Sequence, residues 1–264
     1  MGAGPPLRKR LGQHHLVNGK LCRPLVEFLA PAGRRVVEIG PGGGVLTAEL
    51  LAAGARVLAV ELDLAWAVEL HRRLETEATG GRLALAVADV LTVRWERLPS
   101  PTLVAGNLPY NVATAILERL LPHHRVVPRA AFLVQREVAE RLVARPGTKP
   151  YGGLSVLVRA RAEIKILGRV RPGSFRPPPK VEGAFVGLTL KPPPLPEAEM
   201  AAFERLVHLA FCQRRKTLRN ALAAAWGRPA AEALLDAARL STATRAEELP
   251  LEAFLRLHSA LQGR

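Results

Sequence analysis

The residues best suited to chemistry are Gly106-Asn107-Leu108-Pro109-Tyr110-Asn111, which follow the short apolar stretch 102–105. An apolar run ending in Asn, Pro and Tyr reads as a buried parallel strand whose carboxyl end opens on a crevice, where α/β sheets bind ligands. Asn107 offers a neutral carbonyl acceptor, and Pro109 stiffens the turn so that main-chain carbonyls beside it, such as that of Leu108, can be aimed. Tyr110 adds a flat apolar face. An exocyclic amine on a nucleobase is a poor nucleophile because its lone pair is delocalised into the ring. Two neutral acceptors for its hydrogens would favour the pyramidal nitrogen of a transition state, and a stacked ring would hold the base in line. Taken alone, the same six residues also read as a plain turn with a core Tyr.

Three further strand ends bear on the choice. Residues 35–44 read as a buried strand and a glycine-rich turn, followed by a helix over 45–53. A dinucleotide fingerprint would place its third glycine at position 45, which is Val45, so the pyrophosphate-binding version and a nicotinamide dehydrogenase are disfavoured. Glycines at Gly40, Gly42 and Gly44 still let the backbone pass close to a ligand. Glu38 would repel a pyrophosphate and welcome a cationic amine. A second strand, 56–60, ends in Glu61 at about the twenty-residue spacing at which an acid grips ribose hydroxyls. A third, 83–87, ends in Ala88-Asp89-Val90, where Asp89 either accepts from the amine of a bound adenine or is a solvated turn residue. Glu38, Glu61, Asp89 and Asn107 thus fall on one edge of one sheet.

The run from Glu38 through the glycines to Thr47, the pair Glu61 and Asp63, Ala88-Asp89-Val90, and Asn107-Leu108-Pro109-Tyr110 resemble the successive motifs of class I S-adenosylmethionine-dependent methyltransferases. More narrowly they resemble the small-subunit ribosomal RNA adenine-N6,N6-dimethyltransferase family. The likeness runs over about residues 8–222. It includes the stretch from Leu11 to Leu16, residues 135–141, the loop from Phe175 to Val181, and residues 214–220. The resemblance implies a Rossmann-like α/β domain, with a mostly parallel seven-stranded sheet and a closing antiparallel hairpin, plus a small all-α domain. It implies S-adenosyl-L-methionine as cofactor and two adjacent adenosines near the 3′ end of 16S rRNA, in small-subunit precursors, as substrate. It further implies that His14 and Leu16 close over the cofactor and that Gly40 and Gly42 lie against its methionine part. Glu61 would hold the ribose, with Asp89 and Val90 at the adenine. Asn107 and the Leu108 carbonyl would receive the target amine, and Tyr110 and Phe175 would sandwich the target base. Two positions depart from the family pattern: His15 stands where Phe is usual, and Gly183-Ala184 replaces the small polar residue expected after Val181. A 23S rRNA methyltransferase of the macrolide-resistance type and a non-catalytic assembly factor are the alternatives.

A formal net charge of +15, mostly from Arg, points to a polyanion, and guanidinium forks suit RNA phosphates and stack on bases. Cys22 and Cys212 belong to no C-x-x-C pair, so neither a disulfide framework nor a zinc site is expected, and His14-His15 adjacency does not favour a metal. No apolar signal core or membrane-length run is found, so a soluble, cytoplasmic monomer without metal or membrane partner is expected.

The domain boundary is expected at the Pro-rich linker 192–194, separating a methyltransferase domain over 1–191 from a helical RNA- or ribosome-binding domain over 192–264. Within the first, 1–12 reads as a mobile basic arm with Arg8, Lys9 and Arg10. A helix is expected over 19–30, stopped by Pro31, a strand over 129–135, a helix over 136–144, and a connecting loop over 146–153 whose Lys149 and Tyr151 could touch RNA. Residues 162–170 and 184–190 read as the hairpin, and the stiff loop 172–179 would present Phe175 at its tip, with Lys180 beside it as an RNA contact. Arg214, Arg215, Lys216 and Arg219 form a basic cluster at a turn into a helix, suited to phosphates.

Overall fold

A computed structural model of the chain describes residues 5–6, 14–109, 112–213 and 216–263. The expected basic arm with Arg8, Lys9 and Arg10, and likewise Tyr110, Arg214 and Arg215, lie outside the described residues. The chain divides into two compact units, 1–139 with 162–191, and 140–161 with 192–264.

The first unit begins with β1 (His15–Leu16) and α1 (Arg23–Leu29). The helix expected over 19–30 is a 3-10 turn over Gly19–Cys22 followed by α1, because Pro24 can occupy only the first turn of an α-helix. Next come β2 (Arg35–Ile39), α2 (Val45–Ala52), β3 (Arg56–Glu61), α3 (Leu64–Arg73), α4 (Glu75–Thr79), β4 (Leu83–Val87), β5 (Thr102–Asn107), α5 (Ala113–Leu120) and β6 (Arg129–Gln135). The runs Val-Val-Glu-Ile, Leu-Val-Ala-Gly and Ala-Ala-Phe-Leu-Val are buried along almost their whole length, as strands covered on both faces must be. After α6 (Arg136–Val143) and α7 (Gly153–Arg161), the chain returns to this unit as β7 (Ala162–Val170), β8 (Phe175–Arg176) and β9 (Gly183–Leu190).

The main sheet has the order β4-β3-β2-β5-β6-β9-β7, with β4 through β6 parallel and the last two strands antiparallel. The expected hairpin is therefore present, with β9 inside and β7 at the edge. Because the chain winds outward in opposite directions from β2 and β5, a crevice opens beyond their carboxyl ends, where such sheets bind ligands. Gly106 allows the close approach there: a Cβ on it would lie 2.7 Å from the Ile39 carbonyl oxygen.

In the second unit α6 and α7 are followed by α8 (Glu197–Phe211), α9 (Leu218–Trp226), α10 (Arg228–Ala237) and α11 (Leu251–Gln262). Phe203, Leu222, Leu235 and Phe254 centre its core. Residues 192–264 lie in this unit together with 140–161, which the expected boundary groups with the first domain. Tyr151 explains part of that: its buried hydroxyl donates to the Leu249 carbonyl at 2.7 Å, and burial pushes its pKa up to about 12. Arg161, 3% exposed, pairs with Glu197 at 2.8 Å and Glu204 at 3.4 Å. Tyr151 is thus a packing residue rather than an RNA contact.

Among the described residues, no helix is long and apolar enough to cross a membrane.

Candidate active site

The crevice beyond β2 and β5 is a cleft that encloses about 960 Å³ when its open mouth is included. Gly40, Gly42, Glu61, Asp89, Val90, Asn107, Leu108 and Pro109 all line it, so four separate strand ends converge as the sequence implies.

The glycine turn is held by a carboxylate from the neighbouring strand. Glu61, 5% exposed, accepts from the Gly42 N–H at 3.1 Å through Oε2 and from the Asp63 N–H at 3.0 Å through Oε1. Burial raises its pKa even against these two bonds. Each oxygen keeps a lone pair for a further donor. Gly42 sits at φ 50, and a Cβ there would lie 2.7 Å from His15 Nε2, so the glycine is required both for its backbone angle and for space. His15 packs edge-on against Trp66 with ring centroids 4.3 Å apart. Burial, with the charges of Arg73 and His14, holds its pKa down to about 4, so the ring is neutral at pH 7.

Glu38 is 1% exposed, and its Oε2 meets no donor in good hydrogen-bond geometry, although the buried Thr47 hydroxyl lies close enough to offset part of the burial penalty. Burial, reinforced by the Glu61 charge, pushes its pKa up to about 8. It faces a second cavity, of about 320 Å³, which shares His15, Gly40 and Asn107 with the main cleft. A buried acid beside a cleft with an orphan oxygen fits a cation better than an anion.

Asn107 ends β5, and its Nδ2 donates to the main-chain carbonyl of His14 at 2.7 Å. That bond commits the amide nitrogen and leaves Oδ1 as the acceptor. The Leu108 N–H is taken by the Leu133 carbonyl at 2.9 Å. The Pro109 carbonyl accepts from Val112 and Ala113, at 3.2 and 3.1 Å, and so starts α5. Pro109 is therefore a structural starter of α5, and among the described residues no donor occupies the Leu108 carbonyl or Asn107 Oδ1. His14 is fastened a second time, its Nδ1 donating to the Pro177 carbonyl at 2.8 Å, since a carbonyl can only accept. Asp89 uses Oδ1 to cap the turn after β4, accepting from the Leu91 N–H at 2.9 Å, which leaves Oδ2 for a ligand.

One expectation is corrected. Phe175, expected at a loop tip against the target base, is 2% exposed in β8 and packs in the core with Leu16, Leu133 and Phe185. The pairing of β1 with β8 sets Phe175 opposite Leu16, and burying a large ring is worth roughly 2–3 kcal/mol. Leu16, expected over the cofactor, is 6% exposed and borders the smaller cavity that Glu38 also lines. Of the expected phosphate contacts, Lys180 and Lys216 are exposed, whereas Arg219 is paired with Glu232 at 3.5 Å. Leu62, Val112 and Ile116 also line the cleft wall, and no motif in the sequence pointed to them. Val112 and Ile116, four apart at the start of α5 and directly after the Asn-Leu-Pro-Tyr turn, carried a signal of spacing that could have placed them there.

Comparison with known proteins agrees with this geometry. The family model described as "Ribosomal RNA adenine dimethylase" matches residues 5–262. A Ribosomal RNA small subunit methyltransferase A from Synechococcus sp. (strain JA-3-3Ab) is 42% identical over 266 residues, covering 97% of this chain and 94% of the relative. Its counterpart from Pseudomonas aeruginosa is 40% identical over 260 residues, covering 96% and 94%. Among solved structures, a dimethyladenosine transferase from Plasmodium falciparum shares the fold, with TM-score 0.78 and 22% identity over 92% of this chain and 96% of that one. The 23S rRNA methyltransferase ErmE superposes with TM-score 0.69 and 27% identity over 94% and 99%. The fold is that of class I methyltransferases, and the chain belongs to the ribosomal RNA adenine dimethylase family.

Proposed function

We propose that this enzyme uses S-adenosylmethionine to dimethylate N6 of two adjacent adenosines near the 3′ end of small-subunit ribosomal RNA. The observation that carries the reading is the pair of neutral acceptors, Asn107 Oδ1 and the Leu108 carbonyl, set at the rim of a glycine-lined cleft by the Asn107–His14 bond. The relatives named for the small subunit, at about 40% identity over nearly their whole length, favour that RNA over the 23S substrate of ErmE.

The cleft residues fit the cofactor. Gly40, at φ 62, faces open space where any Cβ would intrude on a ligand. The orphan Glu38 oxygen suits the cationic methionine end, the remaining lone pairs of Glu61 suit the ribose hydroxyls, and Asp89 with the Val90 N–H suits the adenine edge. When bound, S-adenosylmethionine supplies an electrophilic methyl on a sulfonium sulfur. Asn107 Oδ1 and the Leu108 carbonyl would accept the two hydrogens of the target amine. They would favour a pyramidal nitrogen, whose lone pair is withdrawn from the ring and localised toward that methyl, and stabilise the positive charge that develops on nitrogen. No ionised base is required, because the product ammonium loses its proton readily to water. Positioning and exclusion of solvent would provide most of the acceleration. Tyr110, next along the chain, is assigned by family likeness to stack on the base.

Incubation with isotopically labelled S-adenosylmethionine and unmodified small subunits should yield N6,N6-dimethyladenosine in the small-subunit RNA, read by mass spectrometry of digested nucleosides. Label appearing only in large-subunit RNA would transfer the reading to the ErmE-type substrate, and no label in either would leave a binding protein.

A further inference from the structure

The carboxyl rim of the parallel sheet carries the cleft, and the opposite rim carries charge. Arg82 immediately precedes β4, Arg56 opens β3, Arg34 and Arg35 lead into β2, and Arg129 opens β6. Arg35 and Arg56 are direct partners in the β2·β3 register, and Arg35 is also paired with Thr102 at the start of β5. Arg125 is brought to that position by bonds from the Thr102 N–H to the Val126 carbonyl and from Ser100 Oγ to the Arg125 carbonyl. Arg34, Arg35, Arg56, Arg82 and Arg125 are exposed.

Main-chain bonds hold this row rigidly. The Arg56 N–H donates to the Arg34 carbonyl at 2.9 Å, and the Val57 N–H to the Arg82 carbonyl at 2.8 Å. Four steps between neighbouring strands make the row about 19 Å long. Only Arg82 has an acidic partner along it, Glu77 at 3.8 Å, while Arg34, Arg35 and Arg56 have none among the described residues. Beyond β6 the rim turns mixed, with Glu163 and Lys165 on β7 and Lys191 directly after β9. Arg35 and Arg56, unpaired and about 4.8 Å apart on neighbouring strands, with Arg34, Arg82 and Arg125 beside them on a rigid edge, match a run of phosphates and lose little freedom on binding. Strands of five to six residues set this rim roughly 16–20 Å from the cleft, too far for one nucleotide to touch both.

We infer that this arginine rim is a second RNA-binding surface, which grips the phosphate backbone of a helix other than the segment that delivers the target adenine. The inference rests on the proposed ribosomal RNA substrate and adds a second foothold to it. The rim selects for folded RNA, in which two backbones are held at a fixed separation, over a short single strand that can reach only the cleft.

The test is the combined variant Arg35→Gln, Arg56→Gln and Arg82→Gln, measured for binding to purified small subunits and to a plain RNA duplex across a salt series. Loss of three phosphate contacts should flatten the slope of log affinity against log salt by about 2–3 and weaken binding on the order of 10- to 100-fold near physiological salt. The Arg→Lys triple should restore the slope, and affinity for S-adenosylmethionine and the unfolding midpoint should match the parent in both variants. A Gln triple whose slope and affinity equal the parent's on both RNAs overturns the rim. A parent that binds the duplex through the rim but ignores small subunits overturns the substrate reading instead.

Discussion

The side-chain amide of Asn107 donates to the main-chain carbonyl of His14 at 2.7 Å, across 93 residues of sequence. This bond decides which end of the amide is left for chemistry. With its nitrogen committed, Asn107 can serve a target amine only as an acceptor, which is the role that a neutral amine-activating site needs. It also ties the segment before β1 to the end of β5, so the wall of the cleft and its reactive turn are set by one contact.

Gly42→Ala should damage the cofactor site more than the fold. The new methyl would be forced to φ 50 and within 2.7 Å of His15 Nε2, and the strained turn would misplace the N–H that Glu61 now accepts. A destabilisation of about 1–2 kcal/mol is expected, together with at least a tenfold loss of S-adenosylmethionine affinity. Calorimetric titration and a denaturant curve on the same preparation separate the two effects, and parental affinity in a folded variant would remove the turn from the binding site.

Glu38 should make the ligand-free enzyme less stable as pH rises. Its folded pKa is raised from 4.5 to about 8, so between those values the native state holds a proton that the unfolded chain has released. Unfolding free energy therefore falls with rising pH through this window, and the contribution of the protonated acid is lost above about pH 8. Glu38→Gln keeps a neutral side chain of similar shape at every pH. The parent should lose at least about 1.4 kcal/mol more than the variant between pH 5 and pH 8.5, which is the free energy linked to one retained proton across a single pH step. Parallel pH profiles would show that the acid is ionised in the folded state.

Much of this was legible in the residues. The β2, β3, β5 and β6 segments read as strands because uninterrupted apolar runs between turn residues suit a doubly covered sheet. Glu61 could be placed near the glycine turn because its spacing follows from strand, turn and helix lengths alone. The Asn107–His14 bond could not, since nothing local joins those positions. Phe175 was misplaced because proline-rich flanks suggest an exposed loop, whereas the β1–β8 pairing, a contact between distant segments, draws the ring into the core. The grouping of 140–161 with the helical unit was not legible for the same reason, because the Tyr151 hydroxyl finds its acceptor at Leu249, 98 residues away. His15 looked like a lapse from the family's Phe, yet a neutral imidazole edge-on to Trp66 fills an aromatic place beside Gly42.

The most direct measurement is Asn107→Ala, followed by single-turnover methyl transfer to small-subunit RNA and by titration with S-adenosylmethionine. Removal of one of two acceptors should slow transfer by about 10²–10³-fold, as loss of a preorganised transition-state contact does elsewhere, while cofactor affinity stays within about tenfold of the parent. Transfer at the parental rate by this variant would contradict the claim that neutral oxygen atoms at the end of β5 make the adenine amine reactive.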